Sequence, residues 1–175
     1  MRWLKFLLTF MRAKRKPALT LRDTSVLHFK VWFVDVDLSI MNHASILTVM
    51  EMGRIDFMVR CGFLPIAKQQ GWFFPTHSQT VRYFKPLKYR DRGQLKTRIL
   101  HHTDDTLYIQ QIILKNDQPI ATSITKGKIK QGRHTLPMRK LASIMQQGAL
   151  PVSTTLANDL QAQDTHAQTL LNDIF

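Results

Sequence analysis

Residues 32–57 read WFVDVDLSIMNHASILTVMEMGRIDF, and the fold turns on the change of pattern in the middle of this stretch. From about His28 to Val34 the chain alternates, with Phe29, Val31 and Phe33 on one side and Lys30 and Trp32 on the other, the period-two pattern of a half-buried strand. After Asn42 the period changes. Ile46, Met50, Phe57 and Cys61 recur at helical spacing, Asn42 is a good N-cap and Gly62 a fitting stop. The spacing predicts a helix of about 18 residues that is apolar around most of its circumference and therefore buried. Three carboxylates, Asp35, Asp37 and Glu51, surround this strand-to-helix junction.

Downstream of the helix the pattern is that of strands. Residues His77–Phe84, Gln94–His101, Leu107–Lys115 and Ile120–Lys130 alternate or are rich in β-branched residues, with turns at Lys85–Pro86, Thr103–Asp105 and Asn116–Pro119. One strand, one long buried helix and then an antiparallel meander predict an α+β domain whose sheet curls around the helix. Residues 21–135 are assigned to this domain and 136–175 to a polar, helical C-terminal extension broken near Gly148–Pro151.

Residues 1–20 form a separate element. Arg2, Lys5, Thr9, Arg12 and Lys16 fall at helical spacing, and Trp3, Leu4, Leu7, Leu8 and Met11 fill most of the other side. The apolar run is far shorter than the roughly 20 residues that span a bilayer, and no small-residue cleavage site follows, so neither a transmembrane helix nor a typical signal peptide is expected. Such a basic amphipathic helix either lies in a membrane interface or docks on its own domain or a partner subunit.

The chain has 175 residues, 44% of them hydrophobic, which is enough for one domain with a proper core. Its single cysteine, Cys61, excludes an internal disulfide and fits a reducing, cytoplasmic compartment, with membrane association through residues 1–17 left open. The formal charge is +13; residues 1–17 hold six bases and no acid, and Arg82–Arg98 holds seven bases against Asp91. This field favours anionic ligands or surfaces. No helix-turn-helix, zinc-finger or RNP-like motif is present, so nucleic acid is not expected as a partner. The seven histidines make no metal set.

The motifs at the junction, Asp35-Val36-Asp37, then Met41-Asn42-His43-Ala44, then Glu51-Met52-Gly53-Arg54, with Tyr83-Phe84-Lys85-Pro86-Leu87 further on, resemble those of the hotdog-fold thioesterases of the 4-hydroxybenzoyl-CoA type. The resemblance covers about residues 25–132. It implies five to six antiparallel strands wrapped around one long central helix, an acyl-CoA or acyl-carrier-protein thioesterase with no cofactor or metal, and a homodimer or tetramer with the acyl site between protomers. It carries Asp37 over as the catalytic carboxylate of one branch and Glu51 as the helix carboxylate of another. His43 stands where the family has the second Asn of its pair, and Ile46 where an aromatic is common. These departures keep open a non-catalytic acyl-binding module at a membrane surface.

Thioester hydrolysis needs an activated water or a carboxylate nucleophile, and donors for the oxyanion that develops. The first amides of a helix lack intrahelical acceptors and sit at the positive end of its dipole, so the amides around His43 to Ser45, chiefly Ala44 and Ser45, are the candidate oxyanion site. Asp37 upstream serves as base or nucleophile, or else only satisfies turn amides. Asp35, two residues earlier, should share its face of an extended strand. Asn42 and His43 cap the helix or orient water. Glu51 is the alternative base, or the partner of Arg54 in an i,i+3 pair. Gly53 costs about 1 kcal/mol in a helix relative to Ala, which points to close approach by another backbone or by a pantetheine arm. Arg54, Arg82, Lys85 and Lys88 are the candidate substrate-binding cations for the phosphates of coenzyme A, although most of the basic run also suits a solvated strand face.

Overall fold

The computed structural model describes residues 2–146 and 150–151. Helix α1 spans Arg2–Ala13 and is followed by strand β1, Ser25–Lys30. A 3-10 turn at Phe33–Asp35 leads into a small hairpin of β2, Val36–Asp37, and β3, Ile40–Met41. The long helix α2 runs from His43 to Arg60, capped by Asn42, and Gly62 at φ +76° ends it in the left-handed conformation that glycine adopts without strain. A second helix, α3, Phe63–Gln70, follows at once and is missed by the sequence reading; its Pro65 sits in the first turn, where a missing N–H costs nothing. Then come β4, Trp72–Phe73; β5, Thr76–Tyr83; β6, Arg92–His102; β7, Leu107–Lys115; β8, Gln118–Gly127; β9, Lys130–Gln131; β10, His134–Thr135; and α4, Met138–Ile144.

Five strands make one antiparallel sheet in the order β1-β6-β7-β8-β5. The alternation read from the sequence is the alternation of burial. Leu95, Thr97 and Ile99 on β6, and Ile109, Gln111 and Ile113 on β7, point inward in register, while Lys96 and Arg98 face out. Asn116 and Asp117, both at positive φ, supply the tight β7–β8 turn. This is the expected α+β hotdog arrangement, with α2 laid against the sheet through Ile46, Val49, Met50, Gly53, Asp56 and Phe57.

The first strand lies earlier than the alternation suggests. β1 ends at Lys30 because the chain turns: Val31 donates to the carbonyl of Asp91, and Asp35 folds back so that its amide bonds the carbonyl of Trp32 while its carboxylate accepts from the amide of Trp32. The tail from Pro137 is less polar in its role than in its composition, since Met138, Leu141, Met145 and Leu150 are buried in one cluster with Phe57, Trp72 and Ile129. The break expected near Gly148–Pro151 lies largely outside the described residues, as does the rest of the extension.

Candidate active site at the start of the central helix

Asn42 builds the junction. Its backbone amide donates to the carbonyl of Asp35, its side-chain oxygen accepts from the Ser45 amide at 2.8 Å, and its side-chain nitrogen donates to Asp37 Oδ1 at 3.2 Å. One residue thus caps α2 and tethers the carboxylate beside the helix start, where the amides and the dipole present partial positive charge. Because the Ser45 amide is spent on the cap, the amides left for an incoming oxyanion are those of His43 and Ala44. The His43 ring packs edge-on against Tyr83 of β5, with ring centroids 4.7 Å apart, so it bridges helix and sheet. Tyr83 belongs to a motif visible in the sequence, but its contact with His43 depends on how β5 lies over the helix end.

The two aspartates do not form a pair on one strand face, as their spacing suggests. The 3-10 turn takes Asp35 inward, where it is buried and bonded to Lys5 Nζ of α1 at 2.5 Å, while Asp37 is exposed on β2. Their environments are different in kind: one carboxylate is spent on a structural ion pair, the other is open to solvent.

Glu51 and Arg54 are not brought to this end. At 1.5 Å per residue they lie roughly 13 and 18 Å along the helix from Asn42. Arg54 turns toward the sheet and donates to Gln111 Oε1 at 3.0 Å and to Thr125 Oγ1 at 3.4 Å. Burial lowers its pKa from the ordinary value, and the nearby charge of Glu51 works in the opposite direction. The structure gives Arg54 a place over the sheet, with Gln111 also bonding the carbonyl of Met50 and Thr97 Oγ1. A glutamine in the apolar run of β7 is the sequence signal for this buried network.

Among the substrate-binding candidates, Lys88 lies two strand spacings, roughly 10 Å, from Asp37. It bridges Ile40, which pairs with Asp37 across the β2–β3 hairpin. Arg82 is exposed near Phe84 at the end of β5, and Lys85 Nζ donates to Gln118 Oε1 at 2.7 Å. Two clefts, of about 560 and 710 Å³, both run along α1, and Asp37 lines neither. Among the described residues no group of three His, Cys, Asp or Glu side chains could hold a metal ion.

The sequence profile of the thioesterase-like superfamily matches residues 31–139, which covers the hairpin, the central helix and every strand of the main sheet except β1. The chain belongs to that superfamily. A search of curated protein sequences finds no match. Several solved structures share the fold at low identity. A probable thioesterase from Bartonella henselae superposes with a TM-score of 0.59 at 18% identity over 66% of this chain and 98% of its own. A 1,4-dihydroxy-2-naphthoyl-CoA thioesterase from Synechocystis gives 0.60 at 15% identity over 70% of this chain and 96% of its own. A Staphylococcus aureus protein solved in complex with CoA gives 0.62 at 14% identity over 81% of this chain and 96% of its own.

Proposed function

We propose that the protein hydrolyses acyl thioesters of coenzyme A or of acyl carrier protein in the cytoplasm. The observation that carries this reading is the tether from Asn42 to Asp37, which holds an exposed carboxylate against the amide-rich start of α2. Asp37 takes a proton from water, and the hydroxide adds to the thioester carbonyl carbon. The His43 and Ala44 amides hold the oxyanion, where one such donor contributes about 3–4 kcal/mol to the transition state. Collapse breaks the C–S bond, the acid leaves, and the thiolate takes up the proton. Arg82, Lys85 and Lys88 bind the phosphates of the CoA moiety through charge-assisted hydrogen bonds.

Among the described residues β5 is the last strand of the sheet with no strand on its outer edge, and that edge suits pairing with a second copy, which would complete an acyl site beside Asp37 as the hotdog resemblance implies. The superfamily profile and the CoA-bound relative support the substrate class.

A second reading, acyl binding without hydrolysis, draws on the open surface around Asp37, which neither cleft reaches. A panel of acyl-CoAs with a thiol reagent separates the two. Under hydrolysis the wild type releases coenzyme A and Asp37→Asn lowers the rate by about 10²–10⁴-fold, the usual worth of a general base. Equal turnover by the variant removes Asp37 from the mechanism, and binding with no release at all favours the second reading.

A further inference from the structure

Helix α1 is docked by its polar side. Lys5, Thr9, Ala13 and Lys16 face the domain: Lys5 Nζ meets the buried Asp35, Thr9 and Ala13 are themselves buried, and Lys16 Nζ donates to the fully buried Asp56 at 2.8 Å. With 3.6 residues per turn, Trp3, Leu4, Leu7, Leu8 and Met11 fall in a sector roughly 140° wide on the opposite side. Trp3 is 87% exposed, Leu4 and Leu7 58%, and Leu8 and Met11 44% and 47%. A helix that served only to cover its own core would be turned the other way. Single exposed apolar residues are ordinary, whereas five in one stripe make a docking surface.

Charge identifies the occupant. Residues 1–17 hold six bases and no acid, and with Lys5 and Lys16 committed to Asp35 and Asp56, Arg12, Lys14 and Arg15 remain exposed. The 710 Å³ cleft beside the helix is lined by Leu8 and Arg12, and brings Lys30 and Arg92 to the same side. The same positive charge opposes a second copy of a +13 chain on this face. A helix of 12 residues is about 18 Å long, and none among the described residues is long and apolar enough to cross a bilayer, so the geometry is that of a helix lying in the interface.

We propose that α1 lays its apolar stripe into the headgroup region of an anionic phospholipid bilayer, with Trp3 and the leucines at the acyl boundary and Arg12, Arg15, Lys30 and Arg92 on lipid phosphates. This holds whether or not the superfamily chemistry at Asp37 operates.

Co-sedimentation of the full-length protein with phosphatidylcholine vesicles, with and without phosphatidylglycerol, tests it. The wild type is expected to pellet with the anionic vesicles and to be released by salt. Leu4→Glu/Leu7→Glu is expected to weaken that binding by more than about tenfold, since two apolar anchors are lost. Arg12→Glu/Arg15→Glu is expected to weaken binding to anionic vesicles several-fold and to reduce its salt dependence. Both variants alter exposed positions, so their melting curves are expected to match the wild type, and a variant that melts earlier is replaced by Leu4→Gln/Leu7→Gln. Equal binding by wild type and the leucine variant overturns the proposal. So does absence of vesicle binding, including the case in which the protein self-associates instead and the leucine variant abolishes that association, which assigns the stripe to a second copy.

Discussion

Gly53 fixes how closely the central helix lies on the sheet, and Gly53→Ala tests that spacing. A Cβ at this position would fall 2.3 Å from Leu95 Cδ2, 2.8 Å from Thr97 Oγ1 and 3.0 Å from Gln111 Nε2. Carbon atoms in ordinary contact are about 3.5–4.0 Å apart, so the overlap with Leu95 exceeds an ångström. Leu95 has nowhere to go: it is fully buried in one cluster with Met50, Leu87 and Ile113, each also fully buried. Thr97 and Gln111 are held by their mutual hydrogen bond and by the bond from Gln111 to the Met50 carbonyl. Alanine gains about 1 kcal/mol of helix propensity. Overpacking costs about 1–3 kcal/mol, and a displaced buried hydrogen bond about 1 more. The net expectation is a loss of about 1–3 kcal/mol, a fall in Tm of about 3–10 °C for a domain of this size. Thermal and urea unfolding measure it. Leu95→Ala in the same background should relieve the clash, so the double variant is expected to be more stable than the sum of the two single losses by about 1 kcal/mol. An unchanged or raised Tm for Gly53→Ala would refute the close-approach reasoning.

Three further outcomes follow from named contacts. Asn42→Ala is expected to lose about 1 kcal/mol of helix capping. Asn42→Asp should retain the cap but not the thioesterase rate, because a carboxylate has no N–H to donate to Asp37; full activity in Asn42→Asp would break the link between tether and chemistry. Asp56→Ala strands Lys16 and Arg60 beside a buried void and is expected to cost about 3–5 kcal/mol, with faster tryptic cleavage between Arg12 and Lys16; a loss under about 1 kcal/mol in urea unfolding would count against it. Burial pushes the Cys61 thiol up to about 11, so at pH 8 only about one thiol in a thousand is ionised. Iodoacetamide is expected to label the native protein far more slowly than the urea-unfolded chain, with a native rate that climbs about tenfold per pH unit toward 11, and equal rates at pH 8 would contradict the buried environment.

What could be read from the sequence was whatever local chemistry decides. The alternating runs of β6 and β7 need only a buried face and a solvated one to be recognised, and Asn42 announces the start of α2 because an N-cap bonds within three residues. That something approaches Gly53 closely was legible for a similar reason, since a glycine inside a helix carries a cost that needs a cause, but the neighbours are the side chains of Leu95, Thr97 and Gln111 rather than a backbone or a pantetheine arm. What was hidden depends on partners far along the chain. VDVD alternates like a strand, yet Asp35 turns inward because Lys5, thirty residues earlier, is there to receive it. Amphipathicity reveals that α1 has two sides, but which side faces the domain is set by Asp35 and by Asp56, forty residues beyond Lys16. Arg54 and Gln111, fifty-seven residues apart, meet only when the helix lies on the sheet.

The same separation gives the two aspartates of the junction different work. A buried carboxylate bonded to a part-buried ammonium is poorly placed to take a proton from water, because doing so would unmake that ion pair. Asp35 therefore anchors α1 and, through the amide of Asn42 on its carbonyl, also sets the start of α2. Asp37 carries no such load: it accepts from a neutral amide at 3.2 Å and stays in reach of solvent. The sequence motif thus divides into an inward acid that positions the helix and an outward acid beside its amides. On this division Asp35→Asn is expected to lower stability and loosen α1 from the domain, whereas Asp37→Asn is expected to leave the melting curve in place and lower hydrolysis by about 10²–10⁴-fold. If the two variants instead lose stability to the same extent, the outward acid is structural and the helix start is only a cap.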